Sequence, residues 1–444
     1  MRRTLFAALC FGLMLVPRPA HAQGEPPRTK EIKEAEKLIA IGMLTTDTVE
    51  RRARVEKALK PLQEAMAKNP ENARVWLLNG QAAAALRDLP RADSLLKTAE
   101  QMYPAFADDI NETRVQTWAE AFTASLTMMD EKKFDEALAT LLLAERMYSL
   151  RPESKMNLGV LYANKGDVVS AQQQFEAALA AATGPLKDGL KPEEAARWQH
   201  YALTSKTNIA QMASQQGVEA FEAKRYDDAM KFFQQARELN PLSRDFAYNL
   251  AQSIYAKAAQ LEEARAQLLK EEKAAKAKKD AATARAKSEA AARIAEQLVG
   301  YYAQVEPLVV AARAADPSNQ DLFLLQARSY RIRGSLTTDA AQQAEFDKRV
   351  NALLKEHEAL PIEVTSLIVT STDSTAVIRG QVNNRKATAG APVKLHFTLF
   401  ALDGTKVGEQ DVTVAAPAVG AAANFEESTR ITGDVTAWKY EILQ

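Results

Sequence analysis

From about Glu31 to Leu360 the apolar positions recur three and four residues apart, with much alanine and with proline mainly where an apolar stretch ends. That spacing predicts amphipathic helices, each burying one stripe. Beyond Pro361 the rhythm changes. Six of the 17 glycines, at 380, 390, 404, 408, 420 and 433, lie here, and β-branched residues alternate with polar ones. A period of two predicts six strands, at about 362–370, 375–383, 392–402, 405–414, 422–431 and 435–443. In the third, Val393, Leu395, Phe397, Leu399 and Ala401 point one way, and Lys394, His396 and Thr398 the other. Asp403-Gly404 offers the positive-φ pair of a tight hairpin, and Trp438, Tyr440 and Ile442 share a face of the last strand. Short antiparallel strands at this spacing predict a small immunoglobulin-like sandwich.

The helical part repeats itself. Counted from Pro152, Leu158, Gly159, Tyr162, Ala171, Phe175 and Ala178 stand at offsets 6, 7, 10, 19, 23 and 26. Counted from Ala73, Trp76, Gly80, Ala92, Leu96, Ala99 and Pro104 stand at 3, 7, 19, 23, 26 and 31. A third unit from Ala210 places Gly217, Ala229, Phe233, Ala236 and Pro241 at the same intervals. On these residues the chain resembles the tetratricopeptide repeat family, whose 34-residue unit is a helical hairpin. In such a hairpin Gly159 and Ala171 lie where the two helices come closest, and Tyr162, Phe175 and Ala178 fill the layer shared with neighbouring hairpins. Pro104 and Pro241 end their units, because proline cannot continue a helix. Ala58, Leu62, Ala65 and Pro70 match part of an earlier unit, and Ala137, Leu141 and Ala144 part of another. Turn residues recur at Asp130–Asp135, Gly166-Asp167 and Lys224–Asp228. The resemblance covers roughly residues 31–357.

Two intervals break the period. Between Pro241 and Pro317 an extra segment, about Lys257 to Leu298, is rich in Ala, Lys and Glu and holds no Gly or Pro. It reads as an extension of both helices of one hairpin, turning near Lys278-Lys279-Asp280 and giving a spur of roughly 30 Å. Leu261, Leu268, Ile294 and Leu298 would form a thin seam between its arms. Around Thr183–Ser205, Gly184-Pro185 and Gly189 interrupt the chain before Pro192 opens a long helix towards Gly217. The expected fold is therefore multidomain α + β: an N-terminal all-α superhelical solenoid of tetratricopeptide-like repeats with a helical-hairpin spur, then a small all-β sandwich. The expected divisions are a signal peptide at 1–22, a polar tether at 23–30, repeats at 31–360 and the sandwich at 361–444.

Phe397-Thr398-Leu399-Phe400 followed by Asp403-Gly404 is similar to the FxLYD type of bacterial envelope domain, with Phe in place of Tyr and Ala401-Leu402 intervening before Asp403. That resemblance implies an accessory binding or tethering module. Met1 to Ala22 supports an envelope setting. Arg2 and Arg3, an apolar stretch from Leu5 to Val16, and Ala20-His21-Ala22 have the order of a Sec-type secretory signal cleaved after Ala22. The expected location is the periplasm or the outside of the cell, with no transmembrane span in the mature chain.

Lys+Arg and Asp+Glu number 57 each. Removing Arg2, Arg3 and Arg18 with the leader leaves 54 − 57 = −3. Such a balance argues against nucleic acid as partner. The single cysteine, Cys10, lies inside the leader, so a mature chain has neither thiol chemistry nor disulfides. His200, His357 and His396 stand apart, without the spacing of a metal site, and His357, between Glu356 and Glu358, reads as a surface side chain. No phosphate-binding, dinucleotide-binding or nucleophile-elbow motif occurs. No catalytic residue, cofactor or metal is expected, and the chain is expected not to be an enzyme.

Within the family, the first helix of each hairpin lines an inner groove. Carrying its positions over nominates Leu77 and Gln81, Phe122 and Met129, Met156 and Asn164, Phe221, Tyr248 and Tyr255, and Arg328 and Arg331 as contacts for a peptide. Each of them also has a plain role open to it as packing against a neighbouring helix. The expected function is a non-catalytic exported scaffold or adaptor binding protein or peptide partners of the cell envelope, with the sandwich as a second docking site. The alternatives are a self-assembling structural envelope protein that forms a homo-oligomer, or a cell-wall polysaccharide-binding sandwich on a helical spacer.

Overall fold

The structure is a computed structural model and describes residues 25–45, 47–372 and 374–443. The expected signal peptide lies outside the described residues. The described residues form fourteen α-helices followed by six β-strands. They divide after Leu161 into two compact units.

The first unit holds α1 (Lys30–Leu44), α2 (Thr48–Lys68), α3 (Ala73–Ala85), α4 (Leu89–Met102), α5 (Ala107–Asp130), α6 (Phe134–Met147) and the start of α7 (Pro152–Asn164). Helix starts follow the sequence. Asp47, Asn72 and Asp88 each accept a backbone N–H of the first turn, satisfying a donor that no helical carbonyl can reach. The antiparallel pairs α1–α2, α3–α4 and α5–α6 pack through small side chains, with Ala92, Leu96 and Ala99 fully buried in α4. A Cβ on Gly80 would stand 2.7 Å from the Leu96 side chain. In this pair, then, the repeat glycine clears space for the bulky residue at offset 23 rather than for the small one at offset 19.

The second unit holds α8 (Val168–Thr183), α9 (Pro192–Glu222), α10 (Tyr226–Leu239), α11 (Arg244–Ala277), α12 (Ala281–Ala315), α13 (Gln320–Leu336), α14 (Ala340–Ala359) and all the strands. The same glycine packing recurs at Gly217, whose Cβ would meet the Phe233 ring at 2.8 Å. Ala171, Phe175, Ala178, Ala229 and Ala236 are buried, and Pro241 follows the end of α10. The two irregular intervals have the expected form. A 3-10 turn at Pro185–Gly189 precedes the 31-residue α9, and α11 and α12, of 34 and 35 residues, turn at Lys278-Lys279-Asp280. The expected leucine seam is closed best at the base, where Leu298 is buried and Leu261 and Ile294 are partly buried beside Tyr302, while Leu268 farther out is half-buried. Farther out, between residues 263 and 296, the buried side chains are Ala275, Ala284 and Ala291.

One turn joins the helices of five successive hairpins. Arg87, Lys132, Gly166, Lys224 and Lys279 have φ between 57° and 77°. The next residue in each case (Asp88, Lys133, Asp167, Arg225, Asp280) donates its N–H to a carbonyl five residues back. This is the glycine-favouring close of a helix, and four of the five positions carry Arg or Lys instead.

The strands are β1 (Ile362–Ser371), β2 (Thr375–Asn384), β3 (Pro392–Phe400), β4 (Lys406–Ala415), β5 (Ala422–Arg430) and β6 (Ala437–Leu443). They make two antiparallel three-stranded sheets, β1-β2-β5 and β4-β3-β6, around one core in which Ile378, Leu395, Phe397, Leu399 and Tyr440 are buried. Pairing of the second strand with the fifth and of the third with the sixth is the immunoglobulin-like arrangement. Two details differ from expectation. Only Gly404 takes positive φ in the β3–β4 turn, and the register slips between Leu399 and Phe400, so a bulged turn replaces the two-residue hairpin. Thr398, expected to face outward, is buried.

The sandwich is joined to the helices of its own unit by a buried polar junction. Asp316 and Ser318, in the α12–α13 connection, are 2% and 0% exposed. The Tyr440 hydroxyl donates to Asp316 Oδ1 at 2.8 Å and stands 2.6 Å from Ser318 Oγ, which in turn accepts the Val364 amide at 2.8 Å. The Arg244 guanidinium lies 5.2 Å from the Trp438 ring centre and its Nε 3.7 Å from Asp316. Burial pushes the Asp316 carboxyl above its ordinary value, although Arg244, Asn319 and Tyr440 favour its charged form.

Candidate functional site

The nominated groove residues fall into distinct settings. In the first unit Leu77 and Met156 are buried, at 3% and 6% exposure, and so serve helix packing instead of presenting a surface. Gln81 is half-buried and donates to Thr113 Oγ1 at 3.2 Å. Phe122 stacks on Trp118 with ring centres 5.2 Å apart, and the Trp118 indole donates to Ser154. Met129 is half-buried near the end of α5.

In the second unit the picture is more coherent. Asn164, the last residue of α7, is exposed and stands apart from the aromatic set. Phe221 of α9 and Tyr248 and Tyr255 of α11 are partly buried against a single hydrophobic cluster built on Phe233, Leu250, Val309 and Leu322. Each of the three is half-buried. Tyr248 accepts from Gln252 at 2.6 Å, Tyr255 stands edge-on to Tyr302 at 5.6 Å, and Phe221 lies 5.3 Å from Tyr226. Burial raises the Tyr255 phenol above its ordinary value while Arg328 of α13 opposes that shift, which puts Arg328 within electrostatic reach of the ring. Arg328 and Arg331 are exposed and make no ion pair among the described residues. The structure thus gathers one phenylalanine ring, two tyrosine rings and an arginine without an ion pair along α9, α11 and α13. Aromatic faces supply large, stiff contact area, and an arginine fork orients carboxylates or carbonyls.

One histidine departs from the reading above. His357 is buried, 9% exposed, and packs on Phe323 at 5.1 Å, because α14 turns that face towards α13. Burial first, then Arg385 and Arg313, hold its imidazole below its ordinary value. His396 lies across β3–β4 from Asp411, Nδ1 to Oδ1 2.6 Å. His200 is exposed. Among the described residues no group of three or more His, Cys, Asp or Glu side chains is placed to hold a metal, and no helix is long and apolar enough to cross a membrane.

An array of helical hairpins closed by recurrent turns, with glycine set under a bulky partner, defines a repeat protein. The comparison with known families names the repeat. Residues 49–105 and 129–185 match the tetratricopeptide repeat model, and the chain carries tetratricopeptide repeats. The unit from Ala210 lies outside the matched stretches. No curated protein matches the chain. Among solved structures, a TPR repeats protein from Bacteroides fragilis is 13% identical, covering 58% of this chain and 97% of that one, with a TM-score of 0.30. YrrB, described as a TPR protein with an unusual peptide-binding site, is 13% identical over 56% of this chain and 95% of its own, at 0.20. The TPR domain of P58(IPK) is 11% identical over 73% and 99%, at 0.23.

Proposed function

We propose that this chain is an exported, non-catalytic scaffold that holds an extended or helical segment of another envelope protein against the aromatic face of α9, α11 and α13. The observation that carries the reading is the set Phe221, Tyr248 and Tyr255 on one cluster with Arg328 beside it. Such rings, half-buried and already packed on the cluster, lose little conformational freedom on binding. The repeats support a protein partner, since hairpin arrays present long surfaces without a deep cavity. Export rests on the order of charge, apolar stretch and small residues in 1–22. The sandwich, joined to the helices through Tyr440 and Asp316, acts as part of the same binding body and offers its outer loops as a second docking site.

The test is photo-crosslinking in cells that make the protein, with a photoreactive phenylalanine in place of Tyr248 or, as control, of the spur-exposed Arg285. A discrete crosslinked polypeptide is expected at 248 and not at 285, and Tyr255→Ala should abolish it. Equal labelling at both positions, or none at 248, would sink the assignment. Mass spectrometry of the chain recovered from the envelope fraction should give Gln23 as its first residue. An intact Met1 start in the cytoplasm would remove the export part alone.

A further inference from the structure

A second concave site lies on another side of α11. Met230, Lys231, Gln234 and Arg237 on one face of α10, Leu250 and Ile254 of α11, and a strip of α12 that includes Leu308 enclose a cavity of about 490 Å³, within the range of small-ligand sites. At 3.6 residues per turn, Leu250 and Ile254 point roughly 130° away from Tyr248 and Tyr255 around the α11 axis. The two sites therefore open on different sides of α11, with Leu250 in the packing beneath both. The floor is apolar, with Leu250, Ile254 and Leu308 all 5% exposed or less. The rim is cationic. No carboxylate lines the cavity, and Glu238, which accepts from Gln234 at 2.8 Å, is exposed on α10.

Lys231 and Arg237 make no ion pair among the described residues, and Arg237 is half-buried with its Nε shut from solvent and without a hydrogen-bond partner. Three other half-buried arginines of the same unit are matched with acids, Arg313 with Glu356, Arg333 with Glu306, and Arg244 with Asp245 and Asp316, whereas Arg265 on the spur, like Arg237, makes no ion pair among the described residues. A guanidinium taken partly out of water without an anion is costly. An apolar floor beneath two uncompensated cations is complementary to a molecule with an apolar body and one negative end. We propose that this cavity binds an amphiphilic monoanion, an aliphatic chain ending in a carboxylate, with the chain over Leu250, Ile254 and Leu308 and the carboxylate on Arg237 and Lys231. The proposal is independent of the protein-binding face.

Calorimetric titration of the full mature chain with decanoate, and with 1-decanol as the uncharged counterpart, tests it. Decanoate should bind at one site per chain and decanol about tenfold or more weakly. Arg237→Gln and Lys231→Gln should each weaken decanoate about tenfold and leave decanol unchanged, while the melting curve of each variant matches the parent and so excludes misfolding. Equal affinity for the two probes, absence of saturable decanoate binding, or an Arg237→Gln variant that binds decanoate as before would overturn the assignment. So would an acidic amphipathic peptide that binds in an Arg237-dependent manner where decanoate does not, since the cavity would then belong to a protein partner.

Discussion

The two ends of the α11–α12 pair share their helices and differ in what holds them. At the inner end Leu250 and Ile254 face Val305, Leu308 and Val309 in a cluster that also takes in Phe233 of α10 and Leu322 of α13, and the pair ends on the Asp316–Tyr440 junction. At the outer end the buried contacts are the methyl groups of Ala275, Ala284 and Ala291, with ion pairs such as Lys287–Glu271 at 2.6 Å on the surface. A buried ring removes several times the apolar area of a methyl group from water, and exposed ion pairs add little. Helix propensity makes both ends helical. Only the inner end is tied to the rest of its unit.

Five substitutions break or sharpen that contrast. The largest effect is expected for Phe233→Ala, which empties the space over Gly217 at the inner end and should cost about 3–5 kcal/mol in urea unfolding. Next, Tyr440→Phe leaves the buried Asp316 and Ser318 short of a partner. It should cost about 1–3 kcal/mol, and hydrogen exchange should accelerate in β1 and β6. The turns give a matched pair: Lys224→Gly relieves a positive φ and should add about 1 kcal/mol to global stability, whereas Lys279→Gly, at the outer tip, should leave the global midpoint where it is because the tip opens locally first. Equal gains from both would mean that the outer arms unfold together with the core.

A smaller effect is expected from pH. The folded His357 titrates below its ordinary 6.5, chiefly through burial, so the unfolded chain binds that proton more readily. Its contribution is complete above the unfolded value and is lost as pH falls through the folded one. Stability should therefore drop on acidification from about pH 7 to 5, and His357→Gln should drop less over the same interval. The smallest change is expected on deleting 267–277 together with 281–291, equal lengths from each arm. The unfolding free energy should shift by less than about 0.5 kcal/mol, and a larger loss would show that the outer arms carry packing they share with the rest.

What the amino-acid order disclosed follows from how contacts map onto it. The repeat period, the turn at Lys278-Lys279-Asp280, the long helix after Pro192 and the six strands all arise from neighbours within a few tens of residues, where spacing alone carries the signal. The partner of the repeat glycine was read only in part, because offsets fix which residues are small and not which of them meet. His357 was misjudged from Glu356 and Glu358, its neighbours in sequence, while Phe323 on another helix buries it. The Tyr440–Asp316–Ser318 junction joins residues more than 120 positions apart and leaves no periodic trace. Of the peptide-contact candidates, Phe221, Tyr248, Tyr255 and Arg328 come together, whereas Leu77 and Met156 turn inward, since a family position specifies a helix and not the side chain's final depth.

The recurrent positive-φ turn closes through bonds confined to the last few residues of one helix and the first of the next. Nothing in that closure records how long the rods behind it are. Adding the same number of residues to both sides leaves the bend untouched and moves it outward by about 1.5 Å per residue. The α11–α12 pair is in this sense a boom of adjustable reach mounted on an unaltered hub, and a graded set of lengths can be made from the same two joints.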